Sequence, residues 1–336
     1  TIPQGMMECM RSSVLFMGTL LARCGEVHLT APGGCKLGAR PIDLHISAMK
    51  ALGASVEESG CEIICRAEKL IGGRIELPFP SVGATENAMI AACGADGVTV
   101  ITGAAKEPEI VDLQEYLRKL GAYIDGAGTN TITVSGFAPE RHVGHRVIPD
   151  RIAASTFLCA CAAAGGDIEL RGVDSRQFLR LQHFLNQAGC DIISSKRSVR
   201  LRSDGCLHAV SRVVTEPYPG FPTDTQPILM AALLKAHGMS RFTENIFDSR
   251  FCHAAQLMRF GADIAVDGRE ATVWGVRSLT GATVTATDLR GGAAMVIAGL
   301  SAEGSTSVID AGHIARGYEN FDNKLRSLGA DVFMEI

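Results

Sequence analysis

The sequence lacks three features: an excess of one charge, a long uncharged apolar run and a metal-binding pattern of cysteine and histidine. The formal net charge is −4, from 32 basic and 36 acidic residues, so we expect no nucleic-acid partner. No uncharged apolar stretch approaches the roughly 18 residues of a membrane-spanning helix, so we expect no membrane partner. No Cys/His cluster has zinc-finger spacing. The 336 residues fit about two domains, and 46% hydrophobic against 20% charged residues excludes extensive disorder.

Disulfide chemistry is also not indicated. The chain has 11 cysteines, an odd number, and no C-x-x-C motif. Cys93, Cys159 and Cys161 lie inside apolar runs, which is typical of reduced thiols, so we expect a cytoplasmic protein. Arginine outnumbers lysine about three to one, which reflects either genome composition or recognition of anions.

An apolar helical stripe that ends in glycine recurs along the whole chain. In one copy, the stripe from Leu113 to Leu120 has apolar residues at i, i+3, i+4 and i+7. Glycine just past such a stripe predicts a helix C-cap. The terminating glycines are 68, 68, 72 and 68 residues apart: Gly53, Gly121, Gly189, Gly261 and Gly329.

A second kind of helix alternates with the first. It is rich in small residues and poor in charge, which predicts a buried helix, and a strand-like run follows it each time. These helices end near Gly25, Gly97, Gly166, Gly238 and Gly304. The repeating unit is therefore a buried helix, a strand, a surface helix, and a strand or hairpin, with a period near 70 residues.

Five such units occupy the chain. If they build domains in sets of three, six are expected and one is missing at the N-terminus. The turn-rich stretch from Gly136 to Asp150 is the candidate seam. We therefore predict a first domain over 1–149, with two units and a glycine-rich loop, and a second domain over 150–336 with three.

That glycine-rich loop, Ala31 to His45, carries Cys35 close to Lys36 and Arg40. Nearby cations lower the pKa of a thiol, which favours a nucleophile or proton relay. The alternative is a surface loop with an idle cysteine.

Other candidates lie next to predicted helix starts. Asp224 precedes a buried helix and is either its N-cap or a general base, and Asp150 has the same two interpretations. Ser81 is either an N-cap or part of a phosphate-binding turn. Arginines near predicted helix starts are either solvated or anion ligands, and their recurrence in the repeats favours the second interpretation: Arg11, Arg290 and Arg316.

Taken together, these motifs resemble the UDP-N-acetylglucosamine 1-carboxyvinyltransferases, a family of enolpyruvyl transferases. The resemblance runs through all 336 residues. Its most specific segments are Pro32-Gly33-Gly34-Cys35, Gly38 to His45, Phe79 to Thr85, Pro149 to Ile152, Phe221 to Asp224, Ala286 to Arg290 and His313 to Tyr318.

The resemblance implies an α/β fold of two similar domains, an inside-out α/β barrel with three βαβ-type units per domain and the active site between them. It also implies that one N-terminal unit is absent here, with the family's Lys-Asn pair, whose lysine binds phosphoenolpyruvate. The implied reaction moves the enolpyruvyl group of phosphoenolpyruvate to the 3-hydroxyl of UDP-N-acetylglucosamine and releases phosphate. No metal or other cofactor is implied, and the oligomeric state stays open.

The resemblance also assigns residue roles. Cys35 matches the proton donor, and Asp224 matches the residue that takes the proton of the sugar hydroxyl. Some family members carry lysine where this chain has Phe79. The expected substrate-binding residues are Arg11, Arg40, Pro41, Ile42, Asp43, Leu44, Ser81, Val82, Arg151, Ile246, Asp288, Arg290 and Arg316.

Two alternatives remain at this point. The shikimate-pathway enolpyruvyl transferase has the same architecture, although Cys35 and the run from Arg40 to His45 argue against it. A non-catalytic UDP-sugar-binding paralogue is the alternative from another class.

Overall fold

The computed structural model describes residues 7, 11–30, 41–60, 62–137 and 142–335. The chain divides between Ile148 and Pro149 into two compact units, and each has its own apolar core. Unit 1 comprises the described residues before this division, and unit 2 those after it.

Unit 1 contains two repeats. A 3₁₀ turn, Arg11–Leu15, precedes the helices α1 (Phe16–Cys24), α2 (Asp43–Ala51), α3 (Val82–Cys93) and α4 (Pro108–Leu120). The strands are β1 (Glu26–Thr30), β2 (Ser55–Ser59), β3 (Glu62–Arg66), β4 (Arg74–Glu76), β5 (Val98–Thr102), β6 (Tyr123–Asp125) and β7 (Thr131–Ser135). One sheet is antiparallel with the order β1-β3-β2, and the other has the order β4-β5-β7-β6 with β4 and β5 parallel.

Unit 2 contains three repeats. Its helices are α5 (Arg151–Ala164), α6 (Leu179–Gln187), α7 (Gln226–Ala232), α8 (Ala254–Leu257), α9 (Leu289–Leu300), α10 (Gly312–Ala315) and α11 (Phe321–Ser327). Its 3₁₀ turns are Ser175–Phe178, Thr223–Thr225, Arg250–His253 and Met258–Phe260. Its first strands are β8 (Gly166–Arg171), β9 (Asp191–Ser194), β10 (Ser198–Ser203), β11 (Arg212–Val214) and β12 (Met239–Thr243). The remaining strands are β13 (Asp263–Asp267), β14 (Glu270–Trp274), β15 (Thr283–Thr285) and β16 (Ser307–Ile309).

The sheets of unit 2 follow the same plan as those of unit 1. An antiparallel sheet has the order β8-β10-β9, and a mixed sheet has the order β11-β12-β14-β13 with β11 and β12 parallel. The third repeat contributes the parallel pair β15-β16. The repeat pattern predicts a strand or hairpin after each surface helix, but no strand follows α11 among the described residues.

The predicted order of elements is confirmed. A buried helix, a strand, a surface helix and a hairpin follow one another in α3-β5-α4-β6-β7 and again in α7-β12-α8-β13-β14. The glycines that end the surface helices all have φ between +87° and +113°. Glycine adopts this left-handed backbone without the steric cost of a Cβ atom, which is why it ends these helices.

The buried helices form the centre of each unit. In unit 2, α5, α7 and α9 pack against one another, and every residue of α7 is buried. A small residue also lets α10 pack closely on α9, because a Cβ atom at Gly292 in α9 would lie 2.6 Å from the Ile314 side chain of α10. The packing fixes the starts of these central helices, where four candidate site residues of unit 2 lie: Arg151, Asp224, Asp288 and Arg290.

Candidate active site

Asp224 lies on the 3₁₀ turn Thr223–Thr225 that leads into α7. Its carboxylate caps neither the turn nor the helix, so the N-cap interpretation is wrong for this residue. Instead, Oδ2 accepts a hydrogen bond from Arg290 Nε at 3.1 Å, and Oδ1 lies 3.5 Å from Arg250 Nη2. Two guanidinium groups therefore hold the carboxylate at the start of a buried helix.

Asp288 extends this network to a second helix. It is the N-cap of α9, and its Oδ1 accepts hydrogen bonds from the backbone nitrogens of Arg290 at 2.9 Å and Gly291 at 3.1 Å. The same oxygen lies 3.4 Å from Nη1 of Arg250, which is completely buried. Burying a cation is tolerated when carboxylates pair with it. Because Arg250 lies between Asp224 and Asp288, it fixes the position of Asp224 relative to the start of α9.

The neighbouring cations keep Asp224 ionised. Burial by itself raises the pKa of this carboxyl, but Arg290, Arg250 and Arg151 together outweigh burial and hold the pKa below its ordinary value. The side chain still exposes 38% of its surface, so a ligand can reach it. At neutral pH, Asp224 is therefore an accessible carboxylate that can accept a proton.

Arg290 has a donor to spare. Its Nη1 is buried and has no hydrogen-bond partner within the described part of the chain. The guanidinium carbon lies 5.1 Å from the ring centre of Tyr318, a cation–π contact. A Cβ atom at Gly317 would lie 2.4 Å from the Leu289 side chain and 3.4 Å from Arg290 Nη1, so glycine leaves room beside this donor. A buried unsatisfied charged donor is suited to an anionic ligand.

The other candidate arginines of unit 2 lie at different depths. Arg316 is exposed and comes directly after the end of α10, so its predicted place at a helix start is wrong. The next residue, Gly317, packs against Leu289 at the start of α9. Arg151 is the first residue of α5 and is largely buried, with its guanidinium carbon 5.7 Å from the Tyr218 ring centre. The preceding residue, Asp150, is the N-cap of α5.

Ile246 lies on a turn that a buried glutamate organises. Glu244 Oε1 accepts hydrogen bonds from the backbone nitrogens of Ile246 at 2.8 Å and Phe247 at 3.0 Å. Its Oε2 accepts a hydrogen bond from Thr223 Oγ1 at 3.0 Å, beside Asp224. Ile246 and Asp224, which are 22 positions apart in the sequence, are thus linked through one side chain.

Unit 1 brings several of its candidates together. Arg11 Nη2 donates a hydrogen bond to the carbonyl oxygen of Pro41 at 3.2 Å, just before α2 begins at Asp43. Ile42 and Leu44 pack against the core of the unit.

Asn87 of α3 and His45 of α2 are buried polar residues that connect the helices of unit 1. Asn87 donates hydrogen bonds from Nδ2 to His45 Nδ1 at 3.0 Å and to the Val14 carbonyl oxygen at 3.2 Å. Its Oδ1 accepts one from Gly18 N at 2.8 Å. Burial, reinforced by the charge of Arg11, lowers the pKa of His45 to about 4, so the ring is neutral and can accept the bond from Asn87.

Ser81 is the N-cap of α3, one of its two predicted roles. Its Oγ accepts a hydrogen bond from Ala84 N at 3.3 Å, and Val82 is the first residue of the helix. A Cβ atom at Gly83 would lie 3.3 Å from the His45 ring, so this turn lies beside α2. Phe79, two residues before the cap, keeps 42% of its surface exposed.

Cys35 and Arg40 lie outside the described residues, so their roles stay predictions. The eight cysteines that are described are all free. Burial raises the pKa of Cys65 to about 11 and that of Cys93 to about 12. Such buried thiols are poor nucleophiles, and Cys35 stays a candidate on the resemblance alone.

Arg250, Glu244 and Asn87 did not emerge from the sequence. Arg250 follows Asp248 and Ser249, and such a polar run is typical of an exposed turn. Glu244 and Asn87 lie in no motif, and each bonds to residues distant in the sequence: Thr223 is 21 positions from Glu244, and Val14 is 73 positions from Asn87. The repeat phase was the one available signal, because Asn87 lies on a helix predicted to be buried.

Comparisons with known proteins identify the family of this chain. A family model described as EPSP synthase (3-phosphoshikimate 1-carboxyvinyltransferase) matches residues 1–325. UDP-N-acetylglucosamine 1-carboxyvinyltransferase 2 of Caldanaerobacter subterraneus subsp. tengcongensis is 48% identical over 98% of this chain and 79% of its own length. The UDP-N-acetylglucosamine 1-carboxyvinyltransferase of Geotalea uraniireducens is 46% identical over 97% of this chain and 78% of its own.

Solved structures give the same fold. The enolpyruvyl transferase NikO from Streptomyces tendae superposes with a TM-score of 0.87 at 25% identity, covering 98% of this chain and 78% of that one. EPSP synthase from Acinetobacter baumannii superposes with a TM-score of 0.71 at 20% identity, covering 96% and 78%.

The mixed α/β repeat architecture is thus that of the enolpyruvyl transferases, and the predicted fold class is confirmed. The chain belongs to the EPSP synthase family and groups there with the UDP-N-acetylglucosamine 1-carboxyvinyltransferases.

Among the described residues, no helix has both the length and the apolar character to cross a membrane.

Proposed function

We propose that this chain transfers the enolpyruvyl group of phosphoenolpyruvate to the 3-hydroxyl of UDP-N-acetylglucosamine and releases phosphate. The relatives that support the proposal are 45–48% identical to the chain and carry the name of this reaction. The structural observation that carries it is an ionised, accessible Asp224 held between Arg250 and Arg290 at the starts of buried helices.

The chemistry requires a base at the acceptor hydroxyl. A neutral hydroxyl is a weak nucleophile, and its proton must leave as the new C–O bond forms. Asp224 is ionised, so it can accept that proton. Because the pKa of Asp224 is low, its carboxylate is a weak base in the free protein. Its contribution to the reaction comes from its fixed position and from its negative charge when the proton is transferred.

The reaction also needs a proton donor and a site for anions. Addition to the enol double bond places a proton on the methylene carbon, and the resulting methyl group loses a proton again when phosphate leaves and the double bond re-forms. On sequence grounds Cys35 is the proposed donor. The phosphate and carboxylate of phosphoenolpyruvate need cations. Arg290 offers the unsatisfied buried Nη1, and Arg316 lies on the same loop as Gly317, which packs beside that atom.

We propose two groups of residues as contacts of the nucleotide sugar. The group in unit 1 is formed where Arg11 meets the start of α2 and where Ser81 begins α3. The group in unit 2 is the Ile246 turn next to Asp224. Arg40, Pro41, Ile42, Asp43, Leu44, Val82, Arg151 and Asp288 complete the proposed set. We also propose that the two units correspond to the predicted domains 1–149 and 150–336.

The proposed product is a precursor of peptidoglycan. The chain would therefore act in cell-wall synthesis, and so in growth and division. The cytoplasm is the compartment we propose, on the pattern of its cysteines.

Phosphate release with two separate acceptors tests the proposal. The full-length protein is mixed with phosphoenolpyruvate and either UDP-N-acetylglucosamine or shikimate 3-phosphate, and released phosphate is measured. Release with the nucleotide sugar alone is expected. Release with shikimate 3-phosphate alone would instead support the reaction that the family model's description names. Calorimetric binding of the nucleotide sugar without any release would indicate a non-catalytic binding protein.

A further inference from the structure

Glu244 is a completely buried carboxylate that follows β12 directly. All three of its side-chain hydrogen bonds described above come from neutral donors: two backbone N–H groups of the Ile246 turn and the Thr223 hydroxyl. Burying a charge is costly unless it is well bonded, and a leucine would fill the same space more cheaply. A carboxylate at this position therefore has a role that packing alone does not explain.

The two segments bonded to Glu244 are those that carry candidate site residues. One oxygen holds the turn with Ile246, a proposed contact of the nucleotide sugar. The other holds Thr223, the residue before Asp224, the proposed base. The Thr223 carbonyl oxygen also accepts a hydrogen bond from Arg250 Nε at 3.1 Å, so the turn of Asp224 is fixed from two sides.

The backbone of Glu244 is held as firmly as its side chain. Its nitrogen donates to the Arg269 carbonyl oxygen at 2.8 Å, and Arg269 Nη1 donates to the Glu244 carbonyl oxygen at 3.2 Å. Arg269 also forms an ion pair with Asp248, just beyond the Ile246 turn. The hairpin β13-β14 thereby anchors the connection, and the carboxylate has little freedom to move.

We propose that Glu244 is a positioning residue that couples binding of the nucleotide sugar at the Ile246 turn to placement of the Asp224 carboxylate. The inference rests on the proposed function. One rigid side chain would then set two distances together. The first is the distance from the nucleotide sugar to the Ile246 turn, and the second is the distance from the sugar hydroxyl to the Asp224 carboxylate. Small displacements of a reacting group can cost about a hundredfold in rate, which is the scale on which such coupling acts.

Three substitutions separate the two arms. Glu244→Leu removes both, so KM for UDP-N-acetylglucosamine should rise and kcat should fall, each by about tenfold or more. Thr223→Val removes only the arm to Asp224, so kcat should fall about tenfold while KM for the nucleotide sugar stays unchanged. Glu244→Gln should restore most of the activity, because its carbonyl oxygen can still accept both backbone hydrogen bonds and its amide can donate to the Thr223 hydroxyl.

The exposed Glu270 of the neighbouring strand β14 provides the control. Glu270→Leu makes the same side-chain replacement on an exposed strand residue and alters neither turn, so its kcat and KM should match those of the wild type.

The measurement is steady-state phosphate release by the full-length protein, with melting temperatures taken in parallel. Wild-type kcat and KM in folded Glu244→Leu protein, with only the melting temperature lowered, would reduce Glu244 to a structural role and overturn the inference. If Glu244→Leu does not fold, Thr223→Val decides, and a wild-type kcat in that variant overturns the coupling. A wild-type protein that does not turn over UDP-N-acetylglucosamine would refute the proposed function itself, and the inference with it.

Discussion

Replacement of Asp224 by asparagine is the most direct test of the proposed base. Asparagine has nearly the same shape and keeps an oxygen that can accept the hydrogen bond from Arg290 Nε, but it cannot take a proton at neutral pH. General acid–base groups contribute about 10²–10⁴-fold to rate. We therefore expect kcat to fall by at least about 10²-fold, which corresponds to roughly 2.7 kcal/mol of barrier. KM for the nucleotide sugar should change much less.

The same substitution should lower stability moderately. Breaking a fully buried ion pair costs about 3–5 kcal/mol. Asp224 exposes 38% of its side chain, and Arg250 keeps its second carboxylate, Asp288, so the loss should be smaller, roughly 1–2 kcal/mol. The folded pKa of Asp224 lies below its unfolded value, so this stability is present above about pH 4 and disappears as pH falls through the folded pKa. The stability difference between variant and wild type should therefore vanish in acid.

Asp150→Asn is the matched control for this experiment. Asp150 caps α5 with hydrogen bonds to Ile152 N at 2.7 Å and Ala153 N at 2.9 Å, and asparagine caps helices about as well as aspartate. Its kcat should stay close to wild type. Phosphate release gives kcat and KM, and thermal unfolding gives stability. If Asp224→Asn turns over at the wild-type rate and only its melting temperature falls, Asp224 is a structural residue and the proposed mechanism is wrong.

Three further predictions concern other residues. Arg316→Ala should raise KM for phosphoenolpyruvate about tenfold or more with an unchanged melting temperature, because this arginine is exposed; intact affinity with lost stability would contradict its assignment. His45 has a folded pKa of about 4, below its unfolded value, so the protein should lose up to about 3 kcal/mol as pH falls from 6.5 towards 4. His45→Gln should flatten denaturant-derived stability over that range, and an unaltered slope would refute the assignment. Burial, with Glu109 and Glu107 nearby, raises the pKa of Glu86 to about 7, so stability should fall as pH rises from about 4.5 to 7. Glu86→Gln should therefore raise the melting temperature at pH 8 and leave it unchanged at pH 4, and an equal effect at both values would exclude this cause.

The repeats could be predicted because their signals are local. A stripe such as Leu113 to Leu120 and the glycine that follows it lie within nine residues, and the same pattern recurs with nearly constant spacing. Helix periodicity and the left-handed backbone of a C-cap are properties of the segment itself. The confirmed order of buried helix, strand, surface helix and hairpin therefore followed from pattern alone.

The network around Asp224 could not be predicted in the same way. Its bonds join Asp224 to Arg250 and to Arg290, residues that are 26 and 66 positions away. Nothing near Arg250 in the sequence predicts complete burial, and only the packing of α7 against α9 provides carboxylates for it on both sides. The resemblance to a family supplied the proposed role of Asp224, whereas the contacts that hold it required the structure.

The repeated architecture also explains why Asp224 is available for chemistry when two similar aspartates are not. Asp150 and Asp288 each precede a buried helix and cap it through backbone N–H groups. At the corresponding place, α7 begins with Gln226 followed by Pro227, which has no N–H to offer a cap. The 3₁₀ turn in front of α7 places Asp224 one residue before the cap position, where its nearest partners are guanidinium groups instead of backbone donors. Asp150 and Asp288 accept hydrogen bonds from backbone N–H groups of their own helices, whereas Asp224 caps no helix and keeps 38% of its side chain exposed, so a substrate can reach its carboxylate.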